Sequence, residues 1–194
     1  MTGGQSLDAA YFDGIFSGDD DPWGLASSAY EAGKFDRTIA ALADRRYARA
    51  LEVGCAHGVL TQRLLPLCDH LHAIDISAVA VTKAQARLGK PPGLALETLA
   101  FPRKVPKGRG FDLVVFSEVA YYWDSADLDR ACRWLCEAME PAGRLLLVHW
   151  TGETDYPQSG DGVVAILWEA LQEHFVVAKA ERHERYRLDL WERR

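Results

Sequence analysis

The stretch from Ala50 to Gly58 limits the possible folds of this chain more than any other part of the sequence. Apolar residues lead into Gly54, and residues 59–65 follow Gly58 with the apolar spacing of a helix. In such a strand-to-helix turn, Gly54 permits a tight turn and close approach of a ligand to the backbone, and Gly58 permits close packing of helix and strand. The sequence therefore predicts an α/β domain built from βαβ units.

An acidic residue follows this turn at the spacing expected for a nucleotide-binding sheet. The second apolar run ends in Asp75, where a doubly wound sheet presents a carboxylate to ribose hydroxyls. The dinucleotide pattern G-x-G-x-x-G is not met, because Ala56 and Val59 occupy its second and third glycine positions. What remains, E-x-G-x-[GA]-x-G beginning at Glu52, resembles the first motif of class I S-adenosylmethionine (SAM)-dependent methyltransferases. A βαβ unit that binds no ligand is the alternative.

The rest of the chain alternates strands and helices without a linker or repeat, so we predict a single domain over residues 1–194. Strands are expected near residues 50–54, 70–75, 94–98, 111–116 and 144–150, and helices near 59–67, 77–88, 125–139 and 162–173. Ser77 is a predicted N-cap, and Pro141 with Gly143 should end the third of these helices. Before residue 45 the pattern is helical, and a helix begins at the Ser28 capping box.

The C-terminal part has a different pattern. Residues 175–179 and 186–191 are separated by too few residues for a crossover helix, so they should pair as an antiparallel hairpin. The predicted fold is therefore α/β and doubly wound: a mostly parallel, Rossmann-like seven-stranded sheet with an antiparallel C-terminal hairpin. A parallel sheet that ends in this way is the class I methyltransferase architecture, and residues 1–45 are predicted to form its N-terminal helical lid.

Composition excludes several classes of function. A net charge of −6 argues against a nucleic-acid surface, and no apolar run is long enough to span a bilayer. The N-terminus lacks the pattern of a signal peptide, and the four cysteines form no C-x-x-C pair, so a cytoplasmic protein is expected. Cys132 and Cys136 have no third ligand at metal-site spacing, and no metal is predicted. The oligomeric state is left open.

Ligands of an open α/β sheet bind outside the carboxyl ends of its strands, which selects the candidate site residues. The predicted cofactor-binding residues are Glu52, Gly54, Cys55, Ala56, Gly58, Asp75, Ile76, Leu99 and Ser117. Tyr11 and Trp23 are predicted to close over the cofactor, although Trp23 as a simple anchor of the segment is an equal alternative. His57 is expected to face solvent or to neighbour the cofactor, without a catalytic role.

Three residues are candidates for the chemistry. Glu118 follows the fourth strand, where it would hold an amine or take its proton, and a structural carboxylate is the alternative. His149 follows the fifth strand and has the pKa range of a base, but it could equally be a hydrogen-bonded structural histidine. Tyr121 belongs to an aromatic cluster, Tyr121-Tyr-Trp123, whose faces suit a sugar ring or a sulfonium methyl group.

Three segments together resemble the NodS family of nodulation N-methyltransferases: Asp20-Asp-Pro-Trp23, the turn from Glu52 to Thr61, and Phe111 to Tyr122. The resemblance covers about Leu7 to Gly143 and fades in Thr151 to Asp161. It implies methyl transfer to the amine of a deacetylated chitooligosaccharide. It also implies that Ala56 belongs to the family's G-C-A-x-G turn.

Two positions depart from the family pattern. Thr98 replaces an Asp that many methyltransferases use for the adenine amine, so backbone groups of Leu99 and Ala100 are expected to hold adenine instead. The resemblance does not account for His149-Trp150 followed by Tyr156-Pro157, so a different small polar acceptor is an alternative to a chitooligosaccharide. Two alternatives remain open: an O-methyltransferase of the same fold, and a non-catalytic SAM-binding protein. A dehydrogenase is disfavoured, because Val59 is incompatible with the dinucleotide turn.

Overall fold

A computed structural model describes residues 4–194, and it contains a seven-stranded sheet in the order β3-β2-β1-β4-β5-β7-β6. The described chain divides into two compact units, one of residues 8–100 and one of residues 101–194 with the described part of the preceding N-terminus. The mostly parallel, doubly wound architecture with its antiparallel C-terminal strands confirms the predicted fold class. Residues 1–3 of the predicted lid segment lie outside the described part.

The unit of residues 8–100 begins with two helices and continues as a three-stranded parallel half-sheet. Its elements are α1 (Ala9–Gly18), α2 (Ala29–Ala40), β1 (Tyr47–Val53), α3 (Val59–Leu64), β2 (Cys68–Asp75), α4 (Ala78–Leu88) and β3 (Leu94–Thr98). The predicted N-caps are confirmed, since Ser28 accepts from the N–H of Tyr30 and Ser77 accepts from that of Ala80. A short 3₁₀ turn over Leu65–Leu67 follows α3, because Pro66 cannot supply the N–H of a continuing α-helix.

Parallel pairing aligns the carboxyl ends of the strands in this unit. Glu52 of β1 lies opposite Ala73 of β2, and Asp75 of β2 lies opposite Thr98 of β3. The amides of Gly54 and Cys55 both donate to the carbonyl of Ile74, which fixes the turn after β1 beside the end of β2. The cofactor-binding residues that the sequence predicts at the ends of β1, β2 and β3 are thereby collected at one edge of the half-sheet.

The second unit carries the other four strands. Its elements are β4 (Phe111–Ser117), α5 (Ser125–Ala138), β5 (Met139–Trp150), α6 (Gly160–Leu171), β6 (Phe175–Arg182) and β7 (Tyr186–Arg193). A 3₁₀ turn over Ala120–Tyr122 links β4 to α5. β4 and β5 are parallel, while β7 pairs antiparallel with both β5 and β6, which confirms the predicted hairpin.

Strand β5 starts five residues earlier than the sequence indicates. α5 ends at Ala138, and Met139 pairs at once with Phe111, whereas the next pair joins Leu113 and Arg144. Residues 140–143 therefore bulge out of the ladder, with Ala142 at φ 59°. Pro141 and Gly143 lie inside this bulge, so their breaking effect acts on the strand and not at the end of the helix.

Candidate active site

Asp75 is held in place by the turn that the sequence singles out. One carboxylate oxygen, Oδ2, accepts from the amide of Ala56 at 2.9 Å, and Oδ1 accepts from that of Ser77 at 2.8 Å. The residue is only 7% exposed, and burial raises its pKa to about 6, against the opposing effect of these two amides. The two amides therefore fix the direction of the carboxylate, and burial removes most of its hydration. Both properties suit a group that accepts hydrogen bonds from ligand hydroxyls.

Glu52 lies at the end of β1 and is also buried. Desolvation raises its pKa to about 7, and Asp75 contributes to the rise through like-charge repulsion. Its Oε2 atom is buried without a hydrogen-bond partner among the described residues. A buried carboxylate oxygen without a hydrogen-bond partner fits a site that binds a polar or cationic group of a ligand.

The backbone of the turn is left-handed at three positions. Gly54 has φ 78°, Ala56 has φ 49° and Gly58 has φ 84°. A Cβ atom at Gly58 would lie 2.9 Å from Cδ1 of Leu88 and 3.2 Å from Cβ of Ala84, both on α4. Gly58 therefore allows close packing on a neighbouring helix, and not the helix–strand contact that the sequence predicts. Ala56 adopts a conformation that is strained for a residue with a side chain, as is frequent at functional sites.

The remaining candidates on this unit are placed less distinctly. Cys55 is buried, and desolvation raises the pKa of its thiol well above the usual range, so it acts as a small apolar group. Ile76 directly follows β2 and is half-buried. The N–H of Leu99 donates to the carbonyl of Asp75 at 2.8 Å. This N–H is therefore not available to adenine, contrary to the expectation from the sequence.

Helix α1 and the loop that follows it are attached to α4 and its N-cap within the same unit. Asp13 accepts from the hydroxyl of Ser77 at 2.5 Å, and Lys83 of α4 donates to Asp20 at 2.8 Å. Tyr11 is 42% exposed, and Trp23 is 46% exposed with its ring edge-on to Phe16. This half-exposed position of Trp23 argues against a simple anchor in the core.

His57 is the clearest departure from the sequence-based expectation for the turn. It is 2% exposed, so the expectation that it faces solvent is wrong. Its Nε2 lies 3.1 Å from Oδ1 of Asp21, which belongs to the N-terminal segment. Burial, aided by the positive charge of Arg87, lowers the pKa of His57. The contact connects the segment containing Trp23 directly to the glycine turn.

The second unit contains the candidate catalytic carboxylate. Glu118 directly follows Ser117, the half-buried last residue of β4, and has φ 56°, in the left-handed region. Its Oε2 accepts from the hydroxyl of Tyr121 at 2.8 Å and from the amide of Trp150 at 2.8 Å. A strained backbone and two donors that converge on one oxygen fix the direction of this carboxylate.

His149 and Tyr121 are in contact, and His149 is fully buried. The two rings meet edge-on with centroids 5.5 Å apart. Burial and the charge of Glu118 raise the pKa of the Tyr121 phenol well above its usual range. Tyr121 therefore stays protonated and acts as a donor to Glu118, while His149 packs against it.

Several residues of the sites were missed by sequence reasoning. Trp150 acts through its backbone amide, which no side-chain pattern reveals. Asp13 has no distinguishing feature in the sequence, and Asp21 appears there only as part of the Asp20–Trp23 segment; their contacts with Ser77 and His57 are visible only in the structure. The sequence analysis assigns no role to Tyr156, although its ring stacks on that of Tyr121 with centroids 5.4 Å apart.

None of the helices within residues 4–194 has the length and apolar character needed to cross a membrane. Over the same residues, no three metal-ligating side chains come together in a cluster.

The turn around Asp75 fits the cofactor that the sequence motif implies. Two buried carboxylates, of Asp75 after β2 and of Glu52 with its unpartnered oxygen, offer acceptors to polar groups of a ligand. The left-handed backbone at Gly54 allows a nucleoside-bearing ligand to approach the main chain closely. The sheet topology and this site together define the class I methyltransferase fold.

Comparisons with known proteins identify the family. The family described as nodulation protein S (NodS) matches residues 17–151. Nodulation protein S of Bradyrhizobium diazoefficiens is 32% identical over 160 residues, which cover 79% of this chain and 76% of that protein. The chain therefore belongs to the NodS family and is a SAM-dependent methyltransferase of the NodS type.

Solved structures agree with this assignment. The N-methyltransferase NodS of Bradyrhizobium japonicum WM9, in complex with S-adenosylhomocysteine (SAH), superposes with a TM-score of 0.82 at 21% identity, covering 95% of this chain and 97% of that one. A candidate methyltransferase from Pseudomonas syringae is 38% identical with a TM-score of 0.72, covering 86% of this chain and all of the other (100%). The first of these shows the shared fold, and the second is the more similar in sequence.

Proposed function

We propose that this methyltransferase transfers the methyl group of SAM to an amine of a sugar or of another small polar molecule. The observation that carries the proposal is the Glu118 carboxylate, which the hydroxyl of Tyr121 and the amide of Trp150 fix at the end of β4. A fixed carboxylate attracts and orients an ammonium group, and it can accept the proton that the ammonium must lose. A solved structure of a NodS protein is that of an N-methyltransferase, which supports an amine as the acceptor.

The proposal assigns a role to each group of site residues. SAM supplies a methyl group on a positively charged sulfur, already activated for transfer. Asp75 accepts the ribose hydroxyls, and the remaining cofactor-binding residues are Glu52, Gly54, Cys55, Ala56, Gly58, Ile76, Leu99 and Ser117. Tyr11 and Trp23 cover the cofactor and exclude water.

On the acceptor side, an ammonium R–NH₃⁺ gives one proton to Glu118 and becomes R–NH₂. The nitrogen lone pair then forms the new C–N bond as the C–S bond breaks, and its electrons stay on sulfur. Tyr121 holds the carboxylate by its hydrogen bond, and His149 packs against the Tyr121 ring. One proton is released per turnover, so a base at this position contributes to the rate.

We also propose a reducing cytoplasmic location and a single functional domain over residues 1–194. The four cysteines are all free, and Cys55, Cys68 and Cys132 are buried as thiols, which fits a compartment that keeps thiols reduced.

The test is a comparison of matched acceptors with purified protein and SAM, with SAH release as the readout. An amino sugar should be methylated, and the corresponding sugar with a hydroxyl in place of the amine should not. Glu118→Gln removes the charge at nearly constant shape, and turnover should fall on the order of 10²–10⁴-fold, the usual contribution of a general base. SAH affinity should change little.

Glu169→Gln provides the matched control, because Glu169 is exposed on α6, and it should retain full activity. Turnover of hydroxyl acceptors alone would favour an O-methyltransferase instead. SAM binding without turnover of any acceptor would indicate a non-catalytic binding protein. Native turnover of amines by Glu118→Gln would contradict the proposed role of Glu118.

A further inference from the structure

Ser6 and Leu7 lie against the start of α5 in the second unit, although Ser6 and Asp124 are 118 positions apart in the sequence. The Ser6 hydroxyl donates to Oδ2 of Asp127 at 2.6 Å and accepts from the amide of Asp124 at 2.8 Å. The amide of Leu7 donates to the carbonyl of Tyr122 at 3.1 Å. We call Ser6 and Leu7 the strap. These three hydrogen bonds attach it to α5 and to the 3₁₀ turn that precedes α5.

The strap has a rigid anchor in Asp127. This residue is 1% exposed, and its carboxylate also accepts from Nε of Arg103 at 2.9 Å and from Nη1 of Arg130 at 2.6 Å. Its own amide donates to Oδ1 of Asp124, the N-cap of α5, at 2.9 Å. Moving a buried carboxylate away from such partners is costly, because its charge would lose both ion pairs. The Ser6 hydroxyl therefore takes its position from Asp127, through a bond whose length is typical of a strong charge-assisted contact.

The other two bonds of the strap hold the backbone that leads from Glu118 to α5. They reach the carbonyl of Tyr122 and the amide of Asp124, on either side of Trp123. The middle residue of the three-residue turn, Tyr121, donates its hydroxyl to Glu118 at 2.8 Å. Glu118 itself has φ 56°, and such a backbone persists only where its surroundings fix it. The strap supplies two such contacts at the end of the turn.

We propose that Ser6 is a positioning residue of the acceptor site, which acts through the turn that presents Tyr121 to Glu118. The inference rests on the proposed role of Glu118 and adds a residue that supports it from outside the chemistry. It also divides the N-terminal segment into two parts. The strap serves the acceptor site, and the lid begins with Asp8, the N-cap of α1.

Ser6→Ala tests the proposal, because it removes the hydroxyl and both of its hydrogen bonds. Turnover per folded protein should fall about tenfold, since a misplacement of roughly 1 Å can cost about 10²-fold and the strap controls only part of this position. KM for SAM should stay constant. Ser6→Thr retains the hydroxyl and should have native turnover. Ser125→Ala is the matched control, because Ser125 is exposed at the first residue of the same helix, and it should be fully active.

The melting temperature separates positioning from stability. A lower melting temperature with native turnover per folded protein would mean that Ser6 only stabilises the fold, and it would overturn the inference. If Ser6→Ala is unfolded at the assay temperature, Ser6→Cys takes its place in every comparison, because a thiol is a weaker donor and acceptor than a hydroxyl.

A double-mutant cycle tests the route from Ser6 to Glu118. Tyr121→Phe removes the hydroxyl that the turn presents to Glu118. If Ser6 acts through this hydroxyl, Ser6→Ala should cost only about twofold in the Tyr121→Phe background, because changes within one network are not additive. Equal losses in both backgrounds would show that Ser6 does not act through Tyr121, and the inference would be wrong.

A further readout needs no turnover. In protein labelled with ¹³C-carboxyl glutamate, the Glu118 signal is identified by its loss in Glu118→Gln. Its chemical shift should differ from wild type in Ser6→Ala, and not in Ser6→Thr or Ser125→Ala. An unchanged Glu118 signal in Ser6→Ala overturns the inference. If the signal moves as expected but the protein methylates no amine, the strap positions Glu118 and the proposed acceptor is wrong.

Discussion

At the scale of single residues, local contacts fix the direction of the Asp75 carboxylate. Amides on both sides of it, from Ala56 and Ser77, direct its two oxygens, while burial disfavours the charged form. Each oxygen accepts more than one hydrogen bond, so ligand hydroxyls can be bound in addition. The motif and its spacing predict that Asp75 lies at the end of the second strand, next to the glycine turn. The two amide contacts of its carboxylate are not visible in the sequence.

Asp75→Ala should weaken SAH binding at least tenfold, because a hydrogen bond to a charged group contributes roughly 1.5–3 kcal/mol. Isothermal calorimetry measures the change, and the melting temperature shows whether the variant is folded. Asp75→Asn retains an acceptor for one amide and serves if the alanine variant unfolds. Asp69→Ala, on the exposed side of the same strand, is the control and should bind normally. Unchanged affinity in folded Asp75 variants would refute the ribose assignment.

At the scale of secondary-structure elements, the N-terminal helices differ from an idle extension. Asp13, Asp20 and Asp21 of this segment contact Ser77, Lys83 and His57, all in or next to the elements that carry the cofactor turn. Tyr11 and Trp23 are substantially exposed. These features support the proposal that the segment acts as a lid.

Hydrogen exchange should therefore slow over residues 8–34 when SAH is added, because closure removes backbone amides from solvent. Mass spectrometry of the exchanged protein measures this at peptide level. Peptides from the β6–β7 hairpin provide the internal control and should exchange at the same rate with and without ligand. Equal protection of residues 8–34 in both states would rule out the lid.

At the scale of the whole molecule, buried acids at the site affect the free energy of unfolding. Burial raises the pKa of Glu52 from its ordinary value of 4.5 to about 7. A group whose pKa is higher in the folded state binds its proton more tightly there, so the stability that it contributes at low pH is lost as pH rises through this range. The lowered pKa values of His57 and His72 act in the opposite direction over part of the same range.

Glu52→Gln isolates the contribution of Glu52, because glutamine does not titrate. The stability of the variant relative to wild type should increase between pH 5 and pH 7.5, by up to roughly 1.4 kcal/mol per pH unit. Urea denaturation at a series of pH values measures the difference. If the difference in unfolding free energy between Glu52→Gln and wild type does not change with pH, burial does not destabilise the charged form of Glu52 in the folded protein.

The sequence by itself determined the order of elements, the antiparallel hairpin and the residues at the strand ends. These follow from hydrophobic periodicity, from glycine and capping residues, and from the spacing of Glu52, Gly54 and Asp75, all of which are local properties of the chain. Tertiary structure alone decided the burial of His57 against Asp21, the bulge at residues 140–143 and the contact of Tyr156 with Tyr121. Each of these features depends on contacts between groups far apart in the sequence or on backbone atoms. The pattern of side chains along the sequence reveals neither kind of contact.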